Sequence, residues 1–112
     1  MEANTAVDLP ASTREKWLEE IGGMVAVARR SRGITDDQLS GRTGIVYLDV
    51  SLLERGHGCN ILLTEMGLIA REVRHELIIE PPPPREARFS LSDFAAYAEK
   101  LGMAPKITLS PL

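Results

Sequence analysis

The side chains best suited to metal or acid–base chemistry are few in this sequence, and their spacing is poor. His57 and Cys59 are two residues apart, and His75 follows much later. A zinc site needs three or four such ligands, and no CxxC or HxxxH pattern supplies them. No nucleophile beside a base and no glycine-rich phosphate loop stands out. The sequence therefore predicts no metal site, no cofactor and no enzyme.

The stretch from Arg29 to Ala70, around which the chain is organised, predicts short helices with tight breaks between them. Gly33 stops the first helix. Thr35, with Gln38 three residues later, forms a capping box that starts the second. Thr43-Gly44 then breaks the chain.

A third helix is predicted over residues 46–55, ending at two glycines. Ile45, Val50 and Leu53 have the spacing of an inward face. The outward positions, called here the predicted reading set, are Tyr47, Leu48, Ser51 and Leu52. Two short helices around a glycine-containing turn form a helix-turn-helix.

This stretch resembles the lambda-repressor-like helix-turn-helix family, also called the XRE or Cro/C1 type. The resemblance covers roughly residues 21–77, about half of the chain. The matching residues, in order, are Arg29, Arg32-Gly33, Ile34-Thr35, Leu39, Thr43-Gly44-Ile45, Leu53-Glu54-Arg55-Gly56, Asn60, Leu63, Met66, Ile69 and Ala70. The resemblance implies an all-α fold of four or five helices. It also implies a DNA-binding transcriptional regulator, a repressor that acts as a homodimer on a pseudo-palindromic operator.

Specific roles follow from the same resemblance. The third helix would lie in the major groove, where the predicted reading set would face the bases. Arg29 would form a structural ion pair with Glu54. Side chains on either side of the groove would contact the DNA backbone, namely Thr35, Arg42, Arg55 and His57.

Charge and side-chain type leave an alternative function open. The formal net charge is -3, whereas nucleic-acid binders are typically basic. The predicted reading set lacks the Arg, Lys, Asn and Gln that read base edges, and Asp36 and Asp37 begin the second helix. Tyr47, Leu48 and Leu52 could instead bind a protein such as an activator, a toxin or a polymerase factor, as in an antiactivator or antitoxin. A further interpretation is that the C-terminal segment folds back over these three side chains.

The chain divides into four segments. Residues 1–11 are predicted to be a flexible lead, and 12–77 to be the helix-turn-helix domain, whose first helix starts at a capping box formed by Ser12 and Glu15. Residues 78–89 form an extended, proline-rich linker. Residues 90–112 form a helix, capped by Ser90 or Ser92, and a short strand that dock or dimerise.

Two local sequence patterns each allow two interpretations. Gly22-Gly23 interrupts the apolar spacing of the first helix and indicates either a close approach of another helix or a break in the chain. We favour the break. Residues 77–79 and 107–109 have strand-like patterns, and we expect them to pair within one chain or across a dimer. A fourth helix is predicted over residues 61–76.

Composition also bears on the compartment. Cys59 is the single cysteine, so no internal disulfide can form, which suits a reducing environment. The N-terminal residues lack a signal pattern, and no apolar run reaches the length of a membrane span. We therefore expect a cytoplasmic protein without a membrane partner.

Overall fold

The computed structural model describes the backbone of residues 2–112 and the side chains of residues 13–112. The described chain is mostly helical, with five helices and one small sheet. In chain order the elements are α1 (Glu2–Ser31), α2 (Asp36–Thr43), α3 (Tyr47–Glu54), α4 (Leu63–Glu72), β1 (His75–Glu80), α5 (Leu91–Lys100) and β2 (Lys106–Pro111). The predicted all-α class is thus confirmed as a mostly helical fold, to which a two-stranded sheet is added. No helix within residues 2–112 combines the length and apolar character that a membrane crossing requires.

The first helix is longer than the sequence pattern predicts. It begins at Glu2, so positions 2–11 are helical where a flexible lead was predicted, and Met1 lies outside the described residues. The predicted start at Ser12 is wrong because α1 already passes through that position. α1 continues through both Pro10 and Ser12, so the capping pattern at Ser12 does not mark a helix boundary.

α1 also runs without interruption through Gly22 and Gly23, so the predicted break is wrong. The close-approach interpretation fits instead, because the backbone of α3 lies directly against Gly22. A Cβ atom at Gly22 would lie 2.2 Å from the carbonyl oxygen of Leu53. The glycine therefore lets α1 and α3 pack almost backbone to backbone.

The local start and stop signals of α2 are confirmed. The Thr35 hydroxyl accepts a hydrogen bond from the Gln38 backbone N–H at 3.0 Å, and the Gln38 side chain accepts one from the Thr35 N–H at 2.9 Å. Gly33 and Gly44 close α1 and α2 with positive φ angles of 68° and 79°. α3 follows after a short turn, with Val50 and Leu53 fully buried as predicted.

α4 is shorter than the predicted helix over 61–76. Its inward residues are buried as expected, among them Met66 and Ile69. The helix ends at Glu72, and Arg74 then adopts a left-handed conformation with φ of 57°. The next residues, from His75 onward, pair in a sheet instead of continuing the helix.

The two strand-like segments pair with each other in one antiparallel sheet. Leu77 lies opposite Leu109 and Ile79 lies opposite Ile107, so the pairing occurs within one chain. Ile107 and Leu109 point into the core beside α1. Since β1 continues to Glu80, the connection to α5 begins at the prolines rather than at residue 78.

The C-terminal segment docks on the helical domain and completes its core. Ser90, rather than Ser92, caps α5 by accepting a hydrogen bond from the Asp93 N–H at 3.0 Å. Phe94 is fully buried, and its ring lies 6.4 Å from that of Trp17. At the surface, Arg14 of α1 forms an ion pair with Glu99 of α5.

Candidate interaction surface

The outer side of α3 presents a mixed apolar and acidic surface, which we call the α3 patch. It consists of Val46, Tyr47, Leu48, Asp49 and Leu52. Val46 is 65% exposed, Tyr47 47% and Leu48 60%, whereas Leu52 is half-buried. Contiguous exposed apolar patches commonly mark contact surfaces of proteins.

One member of the predicted reading set does not belong to this surface. Ser51 is buried, with 9% of its surface exposed, so its assignment to the outward side is wrong. The reason is that α1 and α2 both contact α3 and bury a wide arc of this short helix. Asp49, which the spacing argument missed, is exposed in its place beside Leu48 and Leu52.

The C-terminal segment does not cover the α3 patch. α5 and β2 bury their apolar sides in the core, while Tyr47 and Leu48 stay open to solvent. The interpretation that residues 90–112 fold back over this surface is therefore wrong.

Carboxylates surround the exposed tyrosine. Asp36 and Asp37 lie in the first turn of α2, and Asp49 lies in the first turn of α3. The Tyr47 hydroxyl donates a hydrogen bond to Oδ2 of Asp36 at 3.2 Å. α3 itself, with the sequence YLDVSLLE, carries no basic side chain. The outer side of α3 is therefore apolar with carboxylates at its edge, and Arg55 follows just beyond the end of the helix.

The carboxylate beside Tyr47 predicts a measurable pH effect. The hydrogen bond to Asp36 and the repulsion by that carboxylate raise the pKa of Tyr47 above its ordinary value of 10.0. The contribution of this hydrogen bond is thus present below pH 10 and is lost as the pH rises through the raised pKa. We expect Asp36→Asn to bring the pKa of Tyr47 back toward 10.0.

The titration is followed by tyrosinate absorbance in a Tyr97→Phe background, where Tyr47 is the only tyrosine. An unchanged pKa in the Asp36→Asn variant would contradict the contact.

Behind the α3 patch, Arg29 and Glu54 form the expected ion pair. Nε and Nη2 of Arg29 donate to the two carboxylate oxygens of Glu54 at 2.7 and 2.9 Å. Nη1 of Arg29 also donates to the carbonyl oxygen of Ile34 at 2.8 Å. The hydrogen bond to Glu54 is the main cause that raises the pKa of Arg29, so the guanidinium stays charged. One side chain thereby joins α1, the residue before the α2 cap and the end of α3.

The four residues predicted to contact a DNA backbone differ in their surroundings. The Thr35 side chain is already used in the α2 cap. Arg55 and His57 are exposed just after α3, and His57 lines a cavity of about 60 Å³ with Asp49 and Leu52. Arg42 instead lines a groove between α2 and the end of α4.

No cluster of three or more His, Cys, Asp or Glu side chains able to hold a metal ion is found in the part of the chain whose side chains are described. Cys59 is half-buried against the core. His75 places Nδ1 2.8 Å from the carbonyl oxygen of Val73. Cys59 therefore packs against the core, and the His75 ring contacts a backbone carbonyl close to it in the sequence.

Comparison with protein-family models, with curated proteins and with solved structures found no match for this chain. The resemblance to the lambda-repressor-like family accordingly stays a prediction from the residues that carry it.

Proposed function

We propose that this protein is a helix-turn-helix-type regulator that binds another protein through the α3 patch. The observation that carries the proposal is the composition of that surface. Val46, Tyr47 and Leu48 are exposed together, carboxylates flank them, and α3 has no basic side chain.

The apolar members of the patch supply the energy for such a contact. Fully burying a leucine or valine side chain contributes about 1.5–3 kcal/mol. Tyrosine is favoured at the centre of protein interfaces because it combines a large apolar ring with a hydroxyl. Leu48, with 60% of its surface exposed, has most of its area left to bury.

The flanking charges indicate the chemistry of the partner. Asp37 and Asp49 are exposed at the edge of the apolar side chains, and Asp36 is half-buried behind them. A partner with an apolar centre and a rim of Lys or Arg would match this arrangement. Because rim charges are screened by ions, we expect salt to slow association more than it speeds dissociation. Activators and polymerase factors, which bind DNA with basic surfaces, and toxins are the partner classes to test.

The same surface is poorly suited to reading DNA. Base recognition relies on Arg, Lys, Asn and Gln, and none is present on α3. Ser51 is buried, and the hydroxyl of Tyr47 already has an acceptor in Asp36. Carboxylates next to the helix would repel phosphates.

A dimeric DNA-binding repressor is the second candidate. It is favoured by Arg55 and His57, which are exposed where α3 ends and could contact phosphates there. The resemblance of residues 21–77 to lambda-repressor-like regulators also supports it. Such a dimer would place its two α3 helices about 34 Å apart on the DNA.

One comparison of variants tests the proposal. Partners are captured from the native cells by cross-linking to the wild-type protein, to the Leu48→Asp variant and to the control Leu101→Asp. Affinities for the purified partner are then measured by calorimetry. Leu101 is a suitable control because it is 52% exposed and lies at the end of α5. We expect Leu48→Asp to weaken binding at least about tenfold and Leu101→Asp to leave it unchanged.

Binding to DNA from the protein's own upstream region is measured in parallel at low and moderate salt, beside an unrelated fragment. Specific binding that survives moderate salt and is weakened by Arg55→Ala would favour the second candidate. Equal loss of partner affinity in both leucine variants would refute the α3 patch as the contact.

A further inference from the structure

We infer that a groove between α2 and the end of α4 binds a small polyphosphate ligand, such as pyrophosphate or the phosphate chain of a nucleotide. This arginine groove is lined by Arg32, Arg42, Arg71 and Arg74, together with Gln38 and Glu72, and encloses about 430 Å³. It is separate from the α3 patch and does not depend on the function proposed for that surface.

Four arginines reach this groove from three places in the sequence. Arg32 follows α1, Arg42 lies in the last turn of α2, and Arg71 and Arg74 lie at the end of α4. All four are exposed. They concentrate positive charge in one place in a chain whose formal net charge is -3.

These positive charges are not neutralised by neighbouring carboxylates. Among residues 13–112, the ion pairs join Arg14 to Glu99 and Arg29 to Glu54, so none of the four arginines has one there. Glu72 lines the groove without approaching them to salt-bridge distance. The ends of α1, α2 and α4 each supply only about half a negative charge. The groove therefore keeps an excess of positive charge.

The geometry of Arg74 is a second, independent observation. Its φ of 57° is a left-handed conformation that glycine or asparagine usually adopts after a helix. An arginine there costs about 1 kcal/mol of backbone strain. Backbone strain of this kind clusters at binding sites, and here it places a guanidinium at the groove.

The lining favours a small anion over a protein. Protein interfaces need apolar or aromatic anchors at their centre, and the exposed lining here is polar and charged. The planar guanidinium binds phosphate oxygens with two parallel hydrogen bonds, which are stronger when both partners are charged. The volume is within the range of small-ligand pockets, and a polyphosphate supplies several charges to several arginines.

Calorimetric titration with pyrophosphate, orthophosphate and a nucleoside triphosphate tests the inference. We expect saturable binding of pyrophosphate that is weakened at least about tenfold in the Arg71→Gln/Arg74→Gln variant. The control Arg30→Gln removes one positive charge from an exposed arginine that does not line the groove, and it should leave the affinity within about twofold. Tighter binding of the nucleotide than of pyrophosphate would identify a nucleotide as the source of the phosphates.

The Arg74→Gly variant distinguishes a loss of pyrophosphate binding from a loss of protein stability. It removes the guanidinium and also relieves the left-handed strain, so it should bind pyrophosphate more weakly without unfolding more easily. Absence of saturable pyrophosphate binding would overturn the inference, as would an equal loss in the Arg30→Gln control. Binding of duplex DNA that needs Arg71 and Arg74, in a protein that does not bind pyrophosphate, would also overturn it in favour of a nucleic-acid backbone.

Discussion

Glu54→Gln is expected to lower the free energy of unfolding by about 3 kcal/mol. The substitution leaves the guanidinium of Arg29, whose side chain is only 10% exposed, without its counter-charge. Breaking a buried pair from one side costs about 3–5 kcal/mol, because the remaining charge stays desolvated. The value should lie at the lower end, since the glutamine carbonyl can still accept one hydrogen bond.

Glu99→Gln is the matched control for this prediction. It removes the same charge from an ion pair whose side chains are 34% and 48% exposed, between Arg14 and Glu99. Exposed pairs of this kind contribute about 0.2–1 kcal/mol. Urea unfolding followed by circular dichroism measures both variants. Similar losses in the two variants would show that Arg29 is not desolvated.

Gly22→Ala is expected to destabilise the protein by about 3 kcal/mol, whereas Gly23→Ala stabilises it by about 0.5–1 kcal/mol. An added Cβ at Gly22 would meet the backbone oxygens of Leu53 and Glu54 at 2.2 and 3.0 Å. A backbone atom cannot rotate away as a side chain can, so α1 and α3 must separate. At Gly23 nothing lies within 4 Å, and alanine there only gains helix propensity.

The two adjacent substitutions control for each other, because they make the same chemical change in the same helix. Thermal and urea unfolding give the sign of each effect. If both substitutions stabilise the protein, α3 does not pack against α1 at Gly22.

Patterns among residues close together in the sequence were sufficient to predict much of the fold. The reciprocal hydrogen bonds of Thr35 and Gln38 involve residues three apart, so the pattern itself contains the interaction. Val50 and Leu53 were assigned to the core from helical spacing and are fully buried. The strand-like patterns of residues 77–79 and 107–109 predicted that these segments pair, but the choice between one chain and a dimer came only from the structure.

The errors occurred where distant parts of the chain decide the outcome. Gly22 was interpreted as part of a break because its sequence neighbours do not reveal that Leu53 lies against it. Ser51 was placed outward because a helical spacing argument does not state how many neighbours bury a helix. α4 ends early because pairing in the sheet takes over from helix formation at His75.

The two candidate surfaces differ in how far they could be predicted from the sequence. Tyr47, Leu48 and Leu52 lie on one short helix, so these three members of the α3 patch could be predicted, whereas its most exposed apolar member, Val46, was missed. The arginine groove could not, because Arg32 and Arg74 are far apart in the sequence and meet only when α2 packs beside α4. Single arginines near helix ends are ordinary, and only their convergence carries information.

The three-way contact of Arg29 has a consequence for recognition. Since one guanidinium holds α1, the segment before α2 and the end of α3, the α3 patch is presented by a preorganised unit. Such a unit loses little conformational entropy on association, so a larger part of the interaction free energy contributes to the affinity. If the α3 patch binds a partner as proposed, a Glu54 variant that loosens this contact should let that partner dissociate faster, even at temperatures where the variant remains folded.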